Sequence, residues 1–154
     1  VAEMLPILQL VAGPNCPIEA DFFSGALPVN LASGQLRQIL VNLVANSRDA
    51  MDEMGTIEIC TEVIHLEDHV HDHGRIPAGE YVRLTVCDEG CGMSTEALSH
   101  LFDPFFTTKP EGVGTGMGMT IIRDLVVESS GYITVESKEG QGATISIYWL
   151  ADLD

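Results

Sequence analysis

Asn42, Asn46 and Asp49 are the residues in this chain whose types and spacing most directly suggest chemistry. They lie in the stretch 36–54, LRQILVNLVANSRDAMDEM, at intervals of four and then three. On a helix those intervals bring side chains onto one stripe, which Gln35, Gln38 and Glu53 extend. Beside it, Leu36, Leu40, Leu43, Ser47, Ala50 and Met54 make a stripe suited to a core. Polar oxygens held at the edge of a core suit a hydrated divalent cation, because Mg²⁺ keeps several waters and takes few protein ligands. The same pattern also describes an ordinary amphipathic helix with a polar outer face. Asparagine is a poor helix former, and two of them in mid-helix tilt the balance toward chemistry.

Asp88 is the second candidate. It closes an alternating run, 81–88, in which Val82, Leu84 and Val86 share a face with it. A carboxylate on the core side is costly unless donors satisfy it. The exocyclic amine of an adenine is one such donor, and Gly90 and Gly92 would let a flat base approach the backbone. A turn aspartate bonded to its own loop is an equal alternative. The third candidate is Gly112-Val113-Gly114-Thr115-Gly116-Met117-Gly118, which opens a helix. Bare amides at a helix N-terminus bind phosphate. No Lys-Ser/Thr pair follows, so this is not a Walker A loop, and its glycines alternate unlike those of GxGxxG. Simple flexibility is the competing explanation. The preceding Phe102, Phe105, Phe106 and Lys109 favour a hinged lid, anchored by its aromatics over a polyphosphate. Lys109 is the preferred phosphate cation and Arg123 a weaker second. Arg48 is discounted, because it lies two residues from Asn46 and points to the other side of the helix.

Composition limits the partners. The 154 residues fit one domain, and 45% hydrophobic residues suffice for one core. A net charge of −16 with seven basic residues argues against nucleic acid and against an anionic membrane surface. An anionic nucleotide would have to be held by backbone amides, a metal and a few placed cations. No apolar run reaches the ~20 residues of a membrane span, and the start VAEMLPILQL lacks a basic leader segment. Cys16, Cys60, Cys87 and Cys91 show no CxxC spacing and are expected as reduced thiols in a cytoplasmic protein. The His65, His69, His71 and His73 tract resembles a metal-binding sequence. Its acidic, glycine-containing surroundings favour a solvated long loop.

The expected elements follow from periodicity. A short helix covers 1–11, which Pro6 would kink unless it sits near the helix start. Strands are expected at 18–23 and 27–30. The central helix is capped by Ser33 and ended by Gly55. Strands follow at 56–64 and 81–88, joined by a loop. A short helix at 95–101, an irregular stretch at 102–118 and a helix at 117–130 come next. Strands at 132–137 and 143–149 form a hairpin through Lys138–Gly142. Helices alternating with mostly antiparallel strands imply a two-layer α/β (α+β) sandwich.

NLVANSRDAM, DEGCGM, LFDPFFTTK with GVGTGMGM, and GQGATISIYW, in that order, resemble the N, G1, F, G2 and G3 boxes of the catalytic ATP-binding domain of sensor histidine kinases. That domain belongs to the ATPase superfamily shared with DNA gyrase, Hsp90 and MutL. The resemblance is strongest to nitrogen-regulator and hybrid kinases. It implies a Bergerat-type ATP-binding fold, a mixed sheet covered on one face by about three helices. Residues 1–12 would be the end of a connecting helix and 13–154 the catalytic domain. ATP and Mg²⁺ would be the cofactors. Asn46 would be the metal ligand, with Asn42 shaping its site. Asp88 would accept from adenine, with Gly90, Gly92 and Met93 around the base. Phe102, Phe105 and Phe106 would anchor the lid. Gly114, Gly116 and Gly118 would hold the phosphates, with Thr115 and Met117 lining them, and Asp49, Met119 and the catalytic Lys109 would belong to the same nucleotide site. Thr144 would approach the base.

Departures from the pattern sharpen the expectation. Gyrase-like and Hsp90-like members carry a water-activating Glu where this chain has Asn42. Slow hydrolysis and transfer to a neutral imidazole are therefore favoured. Asp49 stands where many kinases have Lys or Arg, and Met117 and Met119 replace leucines. None of the five histidines lies in a phosphoacceptor motif. The resemblance implies an upstream dimerisation and phosphotransfer domain of the same parent, and a response-regulator receiver, possibly fused after Asp154. This piece alone would be monomeric. An ATP-gated clamp of the same superfamily, and a degenerate docking module, are the alternatives.

Overall fold

A computed structural model describes residues 2–23, 29, 31–51, 54–71, 74–94, 96 and 118–152. The strands are β1 (Ile18–Asp21), β2 (Ile57–Leu66), β3 (His69–His71), β4 (Gly74–Ile76), β5 (Gly79–Asp88), β6 (Tyr132–Ser137) and β7 (Ala143–Leu150). The helices are α1 (Leu5–Ala12), α2 (Ser33–Ala50) and α3 (Gly118–Glu128). Five strands form one sheet in the order β1-β2-β5-β7-β6. Only β1 and β2 pair in parallel, so the sheet is mixed.

One face of the sheet carries the helices. Ile57, Ile59, Leu84, Val86, Ile133, Ile145, Ile147 and Trp149 meet Leu8 and Ala12 of α1, Ile39, Leu40, Leu43 and Val44 of α2, and Ile122 and Val126 of α3. The strand residues recur every second position and the helix residues every third or fourth, the two periods that put side chains on one side. Met4, Leu8 and Ala12 are buried in this core. The segment 2–12 therefore packs onto the sheet and α2. Arg48 reinforces the seat by donating from Nη1 to the Val11 carbonyl at 2.9 Å.

The ends of α2 differ from expectation. Its N-cap is Ala32, with no side-chain cap bond, and Ser33 is already helical. It stops at Ala50, and Met51 is the C-cap. Met54 lies beyond the helix at 71% exposed and does not join the apolar stripe. Gly55 does not end the helix: its N–H bonds the Asn15 carbonyl. The N–H of Cys91 donates to the Ala50 carbonyl at 3.0 Å, satisfying one of the orphan acceptors of the helix end. The expected strand at 27–30 and helix at 95–101 lie largely outside the described residues.

The opposite sheet face has its own small cluster. Ile76, Tyr81 and Tyr148 are buried together, with Ile64, Leu66 and Tyr132 packed beside them. The Tyr81 ring meets Tyr132 and Tyr148 edge-on, with centroids 6.2 and 6.4 Å apart. Here the histidine tract departs from the expected loop. β2 runs on to Leu66, and β3 and β4 form a two-stranded hairpin. Ile76 of β4 enters the tyrosine cluster and anchors the hairpin to the sheet.

His65 lies where this hairpin leaves the sheet. Its Nδ1 is 2.7 Å from Glu80 Oε1 and its Nε2 is 3.3 Å from Glu67 Oε1. Hydrogen bonding to Glu80, then to Glu67, favours the imidazolium and raises its pKa above 6.5. The contribution to stability is complete below the unfolded value and is lost as pH rises through the raised folded value. Glu80→Gln is expected to lower the His65 pKa in an NMR titration of its ring protons. An unchanged midpoint would show that the pair does not form.

Candidate functional site

The polar edge of α2 carries Asn42, Asn46 and Asp49, all half-buried. Asn46 Nδ2 donates to the Met119 sulfur at 3.4 Å, so the first turn of α3 is seated against the expected metal ligand. Asn42 Nδ2 is buried without a hydrogen-bond partner among the described residues. Asp49 Oδ1 accepts from Arg48 Nε at 3.2 Å and Nη2 at 3.1 Å. The Arg48 guanidinium thus bonds Asp49 and the Val11 carbonyl. Arg123 Nη2 pairs with Asp124 Oδ1 at 3.3 Å on the exposed side of α3.

Asp88 emerges at the end of β5, opposite Ala143 of β7. Its Oδ1 accepts the N–H of Gly90 at 2.9 Å and of Ala143 at 3.3 Å. The turn aspartate and the ligand acceptor are therefore compatible. The turn uses one oxygen, and among the described residues nothing donates to the other. Ionised carboxylates accept at both oxygens.

The loop after Asp88 is gripped from two sides. On one side, a Cβ at Gly90 would stand 2.6 Å from the Ala50 carbonyl oxygen. On the other, Gly140 N donates to the Cys91 carbonyl at 2.6 Å, and Met93 N donates to Ser137 Oγ at 2.8 Å. Ser137 Oγ in turn donates to the Gly142 carbonyl at 2.8 Å. Gly92 has φ +66°, and its Cβ would lie 2.0 Å from the Lys138 carbonyl oxygen. Gly142 has φ +80°, and its Cβ would lie 2.2 Å from the Asp88 carbonyl oxygen. Ala50, Ser137 and Gly142 thus shape the loop, although their positions carry no sequence signal for that role. The alternating glycines around Gln141 suggested only a turn.

Thr144 is a correction. It pairs with Cys87 in register, and its Oγ1 lies 3.4 Å from the Cys87 sulfur. Cys87 and Asp88 are neighbours on a strand, so they face opposite sides of the sheet. Thr144 therefore lies on the face away from the helices, and Ala143 is the residue opposite Asp88. Phe102, Phe105, Phe106, Lys109, Gly114, Thr115, Gly116 and Met117 lie outside the described residues, as do His73 and His100. Gly118 is the first residue of α3.

All four cysteines are free, and Cys16 is buried in the core. Burial, then the nearby Asp21 carboxylate, raises the Cys60 pKa and keeps it a thiol. No group of three or more His, Cys, Asp or Glu among the described residues could hold a metal. No described helix is long and apolar enough to cross a membrane.

Residues 32–153 match the family described as histidine kinase-, DNA gyrase B-, and HSP90-like ATPase. The chain is 35% identical over 149 residues to Sensor kinase CckA of Brucella abortus (strain 2308), covering 96% of this chain and 16% of that protein. It thus spans under a fifth of that relative's length. Among solved structures it is similar to the catalytic domain of histidine kinase ThkA, with 25% identity and a TM-score of 0.68. That match covers 97% of this chain and 86% of the other. Full-length ShkA, solved in complex with AMPPNP, gives 26% identity and a TM-score of 0.67 over 98% of this chain and 28% of that one. With this sheet, these helices and most of its length matched, the chain belongs to the family of histidine kinase-, DNA gyrase B- and HSP90-like ATPases.

Proposed function

We infer that this chain is the ATP-binding catalytic domain of a sensor histidine kinase. It presents the γ-phosphoryl group of Mg-ATP to a histidine on a dimerisation and phosphotransfer domain of the same parent. A response-regulator receiver then takes the phosphoryl group. The single observation that carries the nucleotide site is the Asp88 loop. One carboxylate oxygen is fixed by two backbone N–H groups while the backbone around it is held by α2 and the β6–β7 turn. A fixed acceptor beside glycine backbone suits an exocyclic amine on a flat base.

The residues fit a magnesium ion. Asn46 has its amide nitrogen turned to the Met119 sulfur, which leaves its oxygen as the hard donor that Mg²⁺ takes. One turn away, the buried Asn42 nitrogen has no acceptor among the described groups, so an oxygen of a water or of the phosphates would complete it. Bound there, Mg²⁺ would supply charge neutralisation for the polyphosphate. Asn42 cannot act as a base, because an amide does not take up a proton near neutral pH. That supports transfer to a nucleophile that needs no strong base, such as a neutral imidazole.

Calorimetric titration with ADP and a non-hydrolysable ATP analogue, with and without Mg²⁺, tests this function. Metal-dependent binding is expected, and Asn46→Ala should abolish the metal dependence. The absence of nucleotide binding in every condition would leave a docking module as the better description.

A further inference from the structure

We propose that Met119 is a positioning residue for Asn46, setting which end of the amide faces the cation. The inference rests on the nucleotide site described under the proposed function. Asn46 projects from α2 and Met119 is the second residue of α3. The Asn46 nitrogen and the Met119 sulfur are 3.4 Å apart, and both side chains are half-buried.

The chemistry of the pair selects one orientation. A primary amide has donors at its nitrogen and lone pairs at its oxygen, whereas a thioether is only a weak acceptor. Turning the oxygen toward the sulfur would oppose lone pairs and lose the hydrogen bond. Turning the nitrogen toward it makes the bond and sends Oδ1 away from α3. Magnesium takes oxygen donors, so the amide is presented in its usable state before any cation arrives. Asn42 provides the internal contrast, since no described group accepts from its nitrogen. Leucine at position 119 would fill similar space but accept nothing.

Met119→Leu and Met119→Gln test the assignment. Leucine removes the acceptor in a nearly volume-conserving exchange, and glutamine restores an acceptor oxygen on a side chain of similar length. The first readout is the Asn46 side-chain amide resonance in the metal-free protein. It is expected to shift in the leucine variant and to return toward the wild-type pattern with glutamine. The second is the ratio of ADP affinity with Mg²⁺ to that without, expected to fall about threefold for leucine and to recover with glutamine. An unmoved amide resonance and ratio in Met119→Leu would overturn the proposal. So would equal losses in both variants, which would indicate packing alone. If the wild-type protein shows no metal-dependent ADP binding, the proposed function fails instead. The metal-free amide resonance then still reports whether the sulfur holds Asn46.

Discussion

Asp88→Asn is expected to abolish nucleotide binding while leaving the fold in place. The substituted side chain keeps Oδ1 and with it the bonds from Gly90 and Ala143. It replaces the second carboxylate oxygen by an NH₂ group. The site then offers a donor to the donor amine of the base, and a buried polar mismatch of this kind discriminates strongly. A loss of at least about 100-fold in ADP affinity is expected by calorimetry, with little change in melting temperature. Asp88→Ala behaves differently. It leaves two N–H groups without their acceptor, at about 1–3 kcal/mol for each one left buried and unsatisfied. It should therefore lower both affinity and stability. Equal melting losses in the two variants would show that the carboxylate serves the fold alone. Undiminished binding by Asp88→Asn would remove Asp88 from the base site.

Gly92→Ala is expected to unseat the loop. Any L-residue at φ +66° costs about 1–2 kcal/mol in backbone strain. The added carbon would also stand 2.0 Å from the Lys138 carbonyl oxygen, a backbone atom that cannot rotate aside. Gly140→Ala is the control. It has φ +80° and nothing within 4 Å of its Cβ, so it incurs the strain without the collision. At about 2–4 °C per kcal/mol for a domain of this size, Gly140→Ala should melt a few degrees low and retain ADP binding. Gly92→Ala should melt lower still and lose measurable affinity, because the loop must leave the β6–β7 turn to make room. Matching melting temperatures and affinities in the two variants would show that left-handed backbone is the only demand on Gly92.

These outcomes bear on how catalysis would be organised. Asp88 and Asn46 lie on different elements, and the C-terminus of α2 joins their surroundings. The Ala50 carbonyl accepts from the loop after Asp88, and Arg48 ties the same turn to α1. The Asp88 loop and the polar edge of α2 therefore share one support. A preformed support of this kind suits phosphoryl transfer, in which positioning and charge stabilisation carry most of the rate.

The sequence by itself determined helices α1, α2 and α3, the strands of the main sheet, most of their core faces and the family. Alternation marks Ile57 and Ile59, or Val82, Leu84 and Val86, and four-residue spacing marks Leu36, Leu40 and Leu43, because these patterns are local geometry. It also singled out Asn46 and Asp88, since a polar group at a core edge stands out against its neighbours. Where its expectations failed, the missing information was a contact with a distant segment. The carbonyl at the end of α2, Ala50, is met by the N–H of Cys91, a partner 41 positions away that no helix-stop signal records. The histidine tract became a hairpin through the burial of Ile76 against Tyr81 and Tyr148. Thr144 fell on the outer face because its register with Cys87 places it there, and a one-residue difference inverts the side a strand residue faces. The Met119 contact with Asn46 brings together residues 73 positions apart. Such pairings come from the packing of α3 on α2, and only the tertiary structure decided them.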